Sequence, residues 1–122
     1  MLTIRSEQMA VLDAAAFDRF LQNLETHLRD DFPGECERHS LNEDNLPAVL
    51  KIALSTAMHA YGIEYVDDLI FFGECMVLLA PDFYDNERYC WATEILTDEE
   101  LAGPEKMHEI SEYMLFCLEE TK

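Results

Sequence analysis

The 122-residue sequence predicts an all-α fold, a compact single-domain bundle of five to six helices spanning residues 1–122. Three observations predict it. Apolar residues recur at spacings of three and four along almost the whole chain. Glycine and proline mostly punctuate these periodic runs. No alternating pair of segments is joined by a hairpin turn.

The first helix is expected from Glu7 to about Arg29, with Met9, Leu12, Ala16, Phe20, Leu24 and Leu28 as its stripe and Phe17 and Leu21 widening it. Ser6 is placed to cap it, and Pro33-Gly34 to end it. A short helical piece around Glu35–His39 follows. The second long helix should run from Leu46 to Tyr61, with Asn45 as cap, Pro47 in the first turn and Gly62 as the stop. Its expected inner face is Val49, Ile52, Ala53, Ala57 and Ala60. The third should span Val66 to Ala80, with Asp67 and Asp68 at its positive end. An aromatic loop, PDFYDNERY, leads to a short helix around Tyr89–Leu96. Gly103-Pro104 then precedes a last helix, Glu105 to about Glu119, facing inward through Met107, Ile110, Met114 and Cys117/Leu118.

Residues 69–79, LIFFGECMVLL, place an acid beside a cysteine inside an apolar run. At about 100° per residue, Leu69, Phe72, Met76 and Leu79 share one side, and Ile70, Gly73 and Val77 a neighbouring one. A helix apolar nearly all round belongs at the centre of a bundle. Gly73 costs about 1 kcal/mol in helix propensity, which close approach of another helix would explain. Glu74 shares its stripe with Asp67, Phe71, Leu78 and Asp82, the one face with polar members, so it is expected to meet a surface or a partner. A thiol at Cys75 needs a base to become a nucleophile, and the sequence supplies none locally. The run reads as a core helix with an interaction edge.

Charge narrows the function classes. The chain carries 26 acidic and 8 basic residues, a formal net charge of −18. Residues 1–44 hold ten acids and four bases, residues 82–122 twelve and three, and the middle only four and one. Such a surface repels phosphate backbones and anionic lipids, which disfavours nucleic-acid binding and membrane docking. It favours a basic protein partner. No signal-peptide pattern opens the sequence, and its longest apolar stretch, 69–81, is too short to span a bilayer; a cytoplasmic protein with reduced cysteines is expected.

Motifs for chemistry are sparse. Cys36-Glu37-Arg38-His39 and Glu105-Lys106-Met107-His108 give C-x-x-H and E-x-x-H. A di-iron bundle needs two E-x-x-H copies and two further inward glutamates, and one copy is present. There is neither a nucleophile elbow nor a glycine-rich phosphate loop. His27, beside Leu24 and Leu28, reads as a boundary residue. No catalytic residue, cofactor or metal is therefore expected. Phe83, Tyr84, Tyr89 and Trp91 cluster among Asp82, Asp85, Glu87 and Arg88, the composition of either an interhelical plug or a protein-binding patch.

Three stretches carry a resemblance: TIRSEQMAVLDAAAFDRFLQNLETHLRDDFP, AYGI and LLAPDFYDNERYCWATEIL. Through Ile4, Arg5, Glu7, Gln8, Met9, Phe32, Pro33, Tyr61, Gly62, Ile63, Asp82, Phe83, Trp91, Ala92, Ile95 and Leu96, the chain resembles a family of small bacterial proteins. Members of that family are encoded beside type VI secretion tip proteins and effectors. Where the family has glycine before the Asp-Phe loop, this chain has Ala80-Pro81. The resemblance implies an accessory adaptor or co-chaperone for effector loading, and it brings no catalytic residues. The expectation is thus a non-enzymatic interaction protein whose partner is an effector, adaptor or tip protein, acting alone or as a homodimer. Its expected binding surface comprises Phe71, Glu74, Leu78, Phe83, Tyr84 and Trp91. The alternatives are an immunity protein that neutralises a cognate toxin with its acidic surface, and an acidic mimic of nucleic acid.

Overall fold

The structure, a computed structural model, describes residues 14–120 and the side chains of residues 15–116. The expected cap Ser6 and the stripe residues Met9 and Leu12 lie outside the described residues, as do the side chains of Cys117 and Leu118. Among the described residues there are six α-helices and no strands: α1 (Ala14–Asp31), α2 (Pro33–Arg38), α3 (Leu46–Tyr61), α4 (Val66–Leu78), α5 (Cys90–Leu96) and α6 (Gly103–Glu120). Two 3₁₀ turns, Phe83–Asp85 and Glu87–Tyr89, form the link from α4 to α5.

α4 is the central element. Leu69, Phe72, Cys75, Met76 and Val77 are all fully buried in a core to which every helix contributes. Around it, α1 packs through Phe20, Leu21, Leu24 and Leu28, and α6 through Met107 and Ile110. Gly73 permits the approach of α1, because a Cβ built there would lie 3.0 Å from Leu24 Cδ2. The chain's first proline acts differently from expectation. Pro33 opens α2 instead of only ending α1, consistent with a residue whose missing N–H is harmless in a first turn.

α3 buries part of the face that periodicity suggested, Ala53 and Ala57 with Val49 at its edge, but turns it toward a leucine stripe. Leu46, Leu50, Ala53, Leu54 and Ala57 are inside, whereas Ile52 is 63% exposed and Ala60 is exposed. The helix is apolar on more than one side, and the larger leucine stripe takes the core. Asn45 stands at the N-cap position without capping. Its side chain turns back, accepting from Asn42 N–H (2.8 Å) and donating to the Ser40 carbonyl (2.7 Å), and so closes the loop after α2.

The C-terminus of α3 is built more tightly. Gly62 adopts a left-handed backbone, φ 69°, and Ile63 N–H reaches back to the Ala57 carbonyl at 3.1 Å, as helix ends with glycine commonly do. The start of α6 lies against this corner, where Gly103 abuts the Gly62 carbonyl. One turn on, Lys106 is buried and its Nζ donates to the Tyr61 carbonyl at 2.9 Å. A cation there meets the negative end of α3. Glu105 accepts the Ala102 N–H at 2.8 Å and caps the same helix start.

Candidate functional site

Each residue of the expected binding surface has a defined place, and they do not form one patch. Phe83 is fully buried, its ring 4.9 Å from Phe72 and 5.7 Å from Tyr84. This corrects the expectation that it faces a partner: the 3₁₀ turn swings it under α4, where it fills the core. Phe71 and Leu78 are half-buried and pack against the same core.

Glu74 is engaged within the fold. Its Oε2 lies 2.8 Å from His27 Nε2, and His27 Nδ1 lies 2.9 Å from Asp31 Oδ2. The imidazole thereby bridges a carboxylate of α1 to one of α4, with its edge on Phe32. Both contacts are hydrogen bonds together only when both ring nitrogens carry protons. Glu74 is thus held by its own fold and is not a free acid on a docking edge.

The neighbouring thiol turns the other way. Cys75 is fully buried and its Sγ–H donates weakly to Met114 Sδ at 3.7 Å, joining α4 to α6. Burial, with the Glu74 charge adding to it, pushes this thiol well above the ordinary cysteine range. His27 engages Glu74, so it does not supply Cys75 with a base. Glu105 is engaged as the cap of α6, and among the described residues no group of three or more His, Cys, Asp and Glu is arranged to hold a metal ion.

Tyr84 and Trp91 reach solvent in two separate places. Tyr84 is half-buried against Phe72 and Tyr61, and with Val49, Ile52, Pro81 and Asp82 it lines a shallow concavity of about 450 Å³. Burial raises the phenol of Tyr61, with Asp85 adding, and that of Tyr84, with Tyr61, Asp82 and Asp85 adding. A phenol held neutral by the fold leaves stability fully present below the unfolded-state value near about pH 10, and stability is lost as pH rises through the raised folded values. Urea unfolding at stepped alkaline pH should therefore show stability falling above about pH 10, with Tyr84→Phe softening the fall. A profile unchanged by Tyr84→Phe would refute this account.

Trp91, at the start of α5, is half-buried and stacks on Tyr113 of α6, with ring centroids 4.2 Å apart and an interplanar angle of 16°. Tyr113 in turn lies 6.4 Å from Phe116. Tyr113 is 39% exposed and Phe116 58% exposed, so a row of three rings runs along the seam between α5 and α6 into solvent. Sequence reasoning missed Tyr113 and Phe116, because Met107, Ile110 and Met114 account for the inner face of α6. One signal was available: Phe116 falls on the stripe of Glu105, Glu109 and Glu112, where an aromatic ring serves no core.

Comparison with family models, with curated proteins and with solved structures finds no match to this chain. Among the described residues no helix is long and apolar enough to cross a membrane.

Proposed function

We propose that this chain is a protein-binding module, an accessory adaptor or co-chaperone that assists a type VI secretion effector in the cytoplasm. The observation that carries the binding role is the aromatic row Trp91–Tyr113–Phe116, which leaves large apolar rings at the surface of a chain of net charge −18. Aromatic rings with a charged rim are the composition of an interface centre. The resemblance of the sequence to proteins encoded beside type VI effectors supports the biological setting. Phe71 and Leu78 fall away from the binding surface in this reading, and Tyr84 with Ile52 supplies a second apolar contact region.

The acidic surface favours one competing reading, an immunity protein that steers itself onto a basic toxin. Two experiments decide. The tagged chain is purified from a strain carrying its neighbouring genes, where an effector, adaptor or tip protein should co-purify; its absence would sink the adaptor reading. Deletion should abolish effector delivery while leaving the cells healthy. Intoxication of sibling cells in contact would instead establish immunity.

A further inference from the structure

We propose that the seam of α5 and α6 docks a cationic amphipathic helix of the partner; this rests on the reading of the chain as a protein-binding module. Glu105, Glu109, Glu112 and Phe116 follow one another at spacings of four, three and four, so they lie along one side of α6, and all four are exposed. Tyr113 stands between this stripe and Trp91. The surface is therefore a line of carboxylates that ends in Phe116, flanked on its α5 side by Tyr113 and Trp91. The one lysine of α6, Lys106, is buried on the Tyr61 carbonyl and neutralises none of them. Among the described residues no arginine or lysine pairs with Glu109 or Glu112.

Charge selects the occupant. A second copy of the chain on this face would set carboxylates against carboxylates, which is repulsive. An anionic lipid surface or a nucleic acid meets the same repulsion. A helix carrying lysine or arginine along one edge and large apolar residues along its face meets the glutamates with its cations and the three rings with its anchors. The run of α6 between Glu105 and Phe116 offers about three turns for such helix-on-helix packing.

Trp91 is the only tryptophan of the chain, so its emission reports this surface directly. The probe is a tryptophan-free peptide of about four helical turns, with lysines on one edge and leucines on its face. Its control is a scrambled peptide of the same composition. The amphipathic peptide should shift Trp91 emission to the blue, with an affinity that falls as salt rises. Phe116→Ser, which removes a solvent-exposed ring and should leave helicity unchanged, should weaken binding about tenfold. Glu109→Lys combined with Glu112→Lys should weaken it further. Equal binding of the scrambled peptide, binding without a change in Trp91 emission, or unaltered affinity in Phe116→Ser would each overturn the proposal. The two proposals also fail separately. A natural partner that co-purifies equally well with Phe116→Ser keeps the adaptor role and rejects this surface, whereas peptide docking without any co-purifying partner does the reverse.

Discussion

Phe72→Ala is expected to lower stability by about 3–5 kcal/mol. Phe72 is fully buried on the central helix, and its ring lies 4.9 Å from Phe83 and 5.6 Å from Tyr84. Truncation removes the transfer free energy of the ring and leaves a cavity. The cavity cannot close easily, because Phe83 is held in a 3₁₀ turn whose amide donates to the Ala80 carbonyl at 3.0 Å. A small domain has about 5–15 kcal/mol in total, so the variant should be partly unfolded at moderate temperature. Urea denaturation followed by circular dichroism is the measurement. A loss below about 1 kcal/mol would mean that the rings do not form one packed unit. Phe116→Ala, which truncates an exposed ring, should change stability little and serves as the contrast.

Gly103→Ala should also destabilise, by about 1–3 kcal/mol, although alanine is ordinarily the better helix residue. A Cβ at Gly103 would sit 2.6 Å from the Gly62 carbonyl oxygen and 3.1 Å from Ile63 Cα. Those atoms are backbone and cannot rotate aside. Gly62 has no freedom to yield either, being fixed in the left-handed region that ends α3. The start of α6 must therefore lift from α3, which also stretches the bond from Lys106 to the Tyr61 carbonyl. Gly34→Ala provides the control, since nothing lies within 4 Å of the added Cβ and its backbone is not left-handed. That change should be neutral or slightly stabilising, because it replaces glycine within α2. If both substitutions behave alike in thermal melts, the close contact of the two glycines has no energetic weight.

Much of this architecture was legible in the spacing of apolar residues. The run 69–79, apolar but for Glu74 among its large side chains, marks a helix that must be covered on most sides, and Gly73 within it announces the close approach of another helix, which α1 makes through Leu24. The face of α3 was less legible, because Leu50 and Ile52 point to nearly opposite sides of a helix that carries large apolar residues on both, and periodicity alone does not choose between them. The bridge from His27 to Glu74 joins residues 47 positions apart, and a charge contact at that separation leaves no periodic trace. Within the aromatic loop only Phe83 departs from expectation, and for another reason. Which ring turns inward depends on the dihedral angles of two short 3₁₀ turns, and composition treats Phe83, Tyr84 and Trp91 alike. The stacking of Trp91 on Tyr113, on which the proposed binding surface rests, is a contact between helices that neither segment reveals alone.

The sulfur contact between Cys75 and Met114 gives the molecule a point of oxidative weakness. Met114 is half-buried at the junction of α4 and α6, so peroxide can reach a side chain that helps close the core. Conversion to the sulfoxide replaces a polarizable apolar sulfur with a polar S=O group facing a buried thiol. The thiol itself resists oxidation, since burial keeps it protonated, and damage would enter through the thioether. Mild peroxide should therefore lower the melting temperature in step with Met114 sulfoxide, as read by mass spectrometry. Met114→Leu should remove most of that sensitivity while leaving the fold intact, and sensitivity retained in that variant would place the weak point elsewhere.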